Sequence, residues 1–70
     1  MQVSFSTKVK GGLNVDVEAT FYNGELDELV LFVKSGKRYR RAQWLERSLS
    51  ANDNEQLSNE AYEAMWEAKQ

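Results

Sequence analysis

Between Val3 and Phe21 the chain alternates apolar or β-branched residues with polar ones. Val3, Phe5, Thr7 and Val9 are separated by Ser4, Ser6 and Lys8, and Leu13, Val15, Val17, Ala19 and Phe21 by Asn14, Asp16, Glu18 and Thr20. Successive side chains of a strand point to opposite faces, so period-two alternation marks strands with one buried face. A chain that opens this way must build a sheet and then cover one side of it.

The turns set the order of the strands. Lys10-Gly11-Gly12 joins the first two runs, and parity decides the loop length. A three-residue loop sets Val9 opposite Leu13, Thr7 opposite Val15 and Phe5 opposite Val17, keeping the apolar face whole; a two-residue loop would mix the faces. Such loops usually end in a left-handed residue, which Gly12 can supply. Asn23-Gly24 is the strongest hairpin signal in the chain, because a type I′ turn requires positive φ at both central positions. Taken as a two-residue loop, it pairs Phe21 with Leu26, Ala19 with Glu28, Val17 with Val30 and Val15 with Phe32. The even residues of the third strand then face the core. Glu28 is the misfit on that face, and a bulge within Glu25 to Glu28 would reverse the assignment. Ser35-Gly36 reads as a further tight turn setting Phe32 opposite Tyr39, Val33 opposite Arg38 and Leu31 opposite Arg40.

Past Arg41 the period changes. Ala42, Leu45 and Leu49 recur at helical spacing, which predicts a short helix over about 42–49. The cluster from Ser50 to Asn54 breaks and caps, with Asn52 or Ser58 as candidate N-caps for a second helix over about 54–68. Leu57, Ala61, Ala64, Met65 and Ala68 fall in one narrow arc of that helix, Glu60, Glu63 and Glu67 form a stripe on one flank, and Tyr62 and Trp66 lie on the other shoulder. The fold class expected is α+β, one small domain over residues 1–70. Strands are placed at about 2–9, 13–22, 28–34 and, as an option, 37–41, in an antiparallel meander whose face carries the C-terminal helix.

With 70 residues, no cysteine and no histidine, neither disulfides nor the common zinc and copper ligand sets are available. Good packing or self-association must stabilise so small a core. No apolar run approaches the length of a membrane span and the first residues lack the apolar core of a secretory signal, so a cytoplasmic protein without membrane contact or cofactor is expected. The formal net charge of −2 conceals a segregation: residues 1–33 carry −3, residues 34–47 carry +5 and residues 48–70 carry −4.

Two surfaces compete as functional sites. With the even residues of the third strand inward, Leu29, Leu31 and Val33 form an outer apolar stripe, flanked by Asp16 and Glu18 on one side and Arg38 and Arg40 on the other. Such a patch is self-complementary under a two-fold axis, suited to a homodimer or another protein partner; the plainer reading is that the segment 42–49 covers it or a bulge turns it inward. The second surface is the basic and aromatic segment of Lys34, Lys37, Arg38, Tyr39, Arg40, Arg41 and Trp44, whose charges could follow phosphates while an aromatic stacks on an unpaired base. A basic run of this length is also an ordinary solvated edge strand, and the acidic remainder opposes a polyanion. Trp66 and Tyr62 read either as partner anchors or as cover for a thin core. Asp16 and Glu18 could hold a cation, but two carboxylates at this spacing are commonly a solvated strand face, and Lys34-Ser35-Gly36-Lys37 lacks the remaining residues of a phosphate-binding loop. The expectation is a non-catalytic interaction module, with nucleic-acid binding as the alternative.

Overall fold

A computed structural model describes residues 1–70. Four antiparallel strands, β1 (Gln2–Val9), β2 (Leu13–Tyr22), β3 (Glu25–Ser35) and β4 (Arg38–Arg41), lie in the order 1-2-3-4. Two helices follow, α1 (Gln43–Ser48) and α2 (Ala51–Ala68). The molecule is an α+β meander with its long helix packed against one face of the sheet.

The first hairpin has the register that parity demands, with Val9 opposite Leu13, Thr7 opposite Val15 and Phe5 opposite Val17. All three loop residues take positive φ: Lys10 at 50°, Gly11 at 76° and Gly12 at 139°. At the second turn Asn23 and Gly24 have φ of 53° and 80°, the geometry of a type I′ loop.

Beyond that turn the expected register changes. Phe21 does pair with Leu26, but the ladder then shifts between Thr20 and Phe21: Thr20 faces Glu28, Ala19 faces Leu29, Val17 faces Leu31 and Asp16 faces Phe32. Asp27 is the extra residue of a β-bulge. The bulge turns both Leu26 and Leu29 toward the helix side, three residues apart, and moves Glu28 to the opposite face. Without it, Glu28 would have stood against Ala19, which has no exposed surface. Burying an unpaired carboxylate costs several kcal/mol or more, so one disrupted ladder step is the smaller penalty.

The third hairpin also differs from the expected pairing, with Phe32 opposite Arg41, Val33 opposite Arg40, Lys34 opposite Tyr39 and Ser35 opposite Arg38. Its loop is Gly36-Lys37, one residue later than expected, with Gly36 at φ 64° in the position where a type II′ turn needs glycine. A shift of two in the pairing keeps parity, so Tyr39 still shares a face with Phe32, but the bulge has made that the outer face.

The helix side holds two clusters. One joins Val9, Val15, Val17 and Leu31 to Ala42, Leu45 and Leu57; the other joins Val3, Ala19 and Phe21 to Ala61 and Met65. Phe5 and Leu29 pack against both. No polar side chain is buried. Helix α2 begins earlier than expected because Ser50 is its N-cap, accepting from the backbone N–H of Asp53 at 3.1 Å, rather than Asn52 or Ser58. No helix is long and apolar enough to cross a membrane.

Candidate functional site: the bare face of the sheet

The two helices cover one side of the meander, and the other side is bare. Along it run the even residues of β1 and β2, the β3 residues Glu28, Val30, Phe32 and Lys34, and Tyr39 and Arg41 of β4. Val30 and Phe32 are half-buried although no helix lies on them, because neighbouring strands shield their stems. Tyr39 is 57 % exposed. A shallow open hollow of about 500 Å³ lies between Ser4, Ser6, Asp16, Glu18, Phe32 and Tyr39.

This arrangement corrects the expected apolar interface and divides the expected basic segment. Leu31 is 1 % exposed, a central core residue, and Leu29 and Val33 pack beside it. Their stripe faces the helices, since the bulge reversed the alternation. Arg38 and Arg40 share that side, opposite Ser35 and Val33 at the exposed edge. Asp16 and Glu18 remain on the bare face as expected, so the seven residues of the expected interface divide between two faces. The basic segment divides likewise. Lys34, Tyr39 and Arg41 point to the bare face, Arg38 and Arg40 to the other, Lys37 sits in the turn, and Trp44 lies on α1, 61 % exposed. Sequence reading missed Val30 and Phe32 as surface residues. The signal was Glu28 opposite Ala19, a pairing that a buried face does not tolerate.

Charge on the bare face is graded along the strands. Lys8 and Lys34 lie at the end near the first and third turns, Glu18 and Glu28 toward the opposite end, and Asp16, accepting from the Ser6 hydroxyl, lies between. Arg41 is held by α1 rather than free: its Nε and one Nη donate to the two carboxylate oxygens of Glu46 at 3.2 and 3.1 Å, with Glu28 at 3.8 Å. Glu46 also accepts the backbone N–H of Leu31 at 3.0 Å, and the Leu31 carbonyl accepts from the Ala42 N–H. A carboxylate and one backbone group thus continue the sheet edge where β4 stops. Burial pushes the Glu46 pKa up, but the Arg41 hydrogen bond, the Leu31 N–H and the charges of Arg41 and Arg47 hold it below the usual value. The same pair raises that of Arg41.

On the shoulder of α2, Tyr62 covers the core: its ring meets Phe21 edge to face at 5.2 Å and its hydroxyl accepts the Leu26 N–H at 3.0 Å. Trp66 is 64 % exposed. No group of three acidic side chains converges where a cation could be held. No known protein family matches the chain, and no curated protein or solved structure matches it at a significant level.

Proposed function

We propose that this protein is a small non-catalytic interaction module that pairs with a second copy of itself through the bare face of the sheet. The observation that carries the reading is Phe32, flanked by Val30 and Tyr39, at the centre of a face that no helix covers. The charge gradient supports a second copy as the occupant. A two-fold axis lying between the sheets and across the strands brings the Lys8 and Lys34 end of one copy onto the Glu18 and Glu28 end of the other, with Phe32 meeting its counterpart near the axis. The apolar area is modest, which suits a weak, salt-sensitive dimer. Nucleic-acid binding through residues 34–44 has less support, because strand alternation sends the arginines to both faces and leaves Asp16 and Glu18 beside Lys34 and Tyr39.

Sedimentation equilibrium over a range of concentrations tests this reading. The wild-type chain is expected to dimerise reversibly, more weakly at high salt, and Phe32→Glu to remain folded and monomeric. A wild-type chain that stays monomeric at the highest concentration reached overturns it, as does a dimer that Phe32→Glu leaves intact.

A further inference from the structure

The two edges of the sheet are unlike. The β4 edge is four residues long and bears Arg38, Arg40 and Arg41, the kind of charge that keeps an edge from pairing. The β1 edge is eight residues long, and its central residues Ser4, Phe5, Ser6 and Thr7 are uncharged. Backbone groups of an antiparallel strand alternate between its two sides. The carbonyls of Met1 and Val9 bond toward β2, accepting from Phe21 and Gly12, so the N–H and C=O of Gln2, Ser4, Ser6 and Lys8 point away from the sheet. Only the Lys8 carbonyl is engaged there, by Gln56 Nε2 of α2 at 3.0 Å.

That contact shows where α2 lies. Gln56 reaches Lys8, Glu60 accepts from the Thr7 hydroxyl at 2.9 Å, and Met65 packs with Val3, so the helix runs antiparallel to β1 with one flank over its open edge. Helical spacing sets Glu63 and Glu67 on the same flank as Gln56 and Glu60. From Gln56 to Glu67 the helix rises roughly 16 Å, about the length of β1 from Lys8 to Val3. An open strand edge therefore runs beneath an acidic ledge of matching length.

We propose that this edge takes up an extended basic segment of a partner protein as a fifth strand, its Lys or Arg side chains at alternate positions reaching the ledge formed by Glu60, Glu63 and Glu67. The edge supplies backbone hydrogen bonds and the ledge supplies charge selection. The β1 strand of a second copy is the wrong occupant, because two-fold pairing there brings two acidic ledges together. The backbone edge of β1 is distinct from the bare face, although the side chains of Ser4 and Ser6 also line the hollow there, and the two readings are told apart by Phe32 on the one and by Glu63 and Glu67 on the other.

The test titrates isotopically labelled protein, followed by amide NMR, with a synthetic peptide alternating Lys and Thr and with its Glu and Thr counterpart. The basic peptide is expected to shift the amides of Gln2, Ser4 and Ser6 and to leave those of Phe32 and Tyr39 in place; the acidic peptide is expected to do neither. Ser4→Pro removes an outward N–H without touching the β1–β2 ladder and should weaken binding about tenfold. Glu63→Lys with Glu67→Lys alters only exposed positions and should reverse the preference toward the acidic peptide. Equal binding of both peptides, binding of neither, shifts confined to the Phe32 face, or a preference unmoved by the double charge reversal overturns the proposal.

Discussion

Glu46 carries more structural weight than its place on a six-residue helix suggests. Its carboxylate accepts the Leu31 N–H and both Arg41 donors, so it closes the backbone ladder where β4 stops and ties α1 to the edge of β3. Removing it leaves a part-buried backbone donor without a partner. Glu46→Ala is expected to cost about 1–3 kcal/mol in urea unfolding, and Glu46→Gln less, because an amide oxygen can still accept from Leu31. The pH dependence has a definite sign. A carboxylate whose pKa lies lower in the folded state contributes stability above its unfolded pKa, and that contribution is lost as pH falls through the folded one. Stability measured against pH should therefore fall less steeply on the acid side in Glu46→Gln than in the wild type. An acid limb of equal slope in both would show that Glu46 is not the group responsible.

At the scale of the element, β3 is the strand on which the two faces were decided. Its run Leu29-Val30-Leu31-Phe32-Val33 has apolar residues on both faces and by itself favours neither. The choice falls to Glu28, which the bulge at Asp27 moves away from Ala19, and to Leu26 and Leu29, which it brings in together. Deleting Asp27 restores ordinary alternation from Leu26 through Glu28 to Leu29. The prediction is a folded chain in which the cross-strand contact between Ala19 and Leu29 persists by NMR. A deletion variant that instead paired Ala19 with Glu28, or failed to form the sheet, would show that the bulge does more than set the register. The hairpins illustrate the same division. The first hairpin, whose alternation is strict, was legible from its turn residues. In the second the turn was legible but the bulge moved the ladder beyond it, and the β3–β4 register differed by two because Ser35-Gly36 and Gly36-Lys37 are both acceptable tight turns. The N-cap of α2 differs from the expected Asn52 or Ser58 for a related reason: Ser50, Asn52 and Ser58 all suit the role chemically, and what selects Ser50 is where the chain leaves α1 to lie across β1.

For the whole molecule, stability rests on a core of twelve buried residues, all apolar, in two clusters bridged by Phe5 and Leu29. Leu31→Ala empties a position in the first cluster and is expected to cost about 3 kcal/mol, lowering the melting temperature by roughly 12–24 °C in a domain of this size. Phe32→Ala, one residue away on the bare face, is expected to cost about 1 kcal/mol or less. Thermal unfolding of the two variants therefore reads the register directly, and the opposite ranking would restore the even residues to the core. Alternation, turn dipeptides and helical spacing, all local properties of the chain, were enough to determine an antiparallel meander of three strands, with the fourth left as an option, followed by two helices, including the first hairpin's pairing and the apolar arc of α2. Which face of β3 turns inward was not a local property. It depended on whether a carboxylate could be accommodated opposite Ala19 beneath α2, and only the packed structure decides that, because burial rather than strand propensity makes the penalty. The face left bare, and with it the surface through which the protein is proposed to act, followed from that one decision.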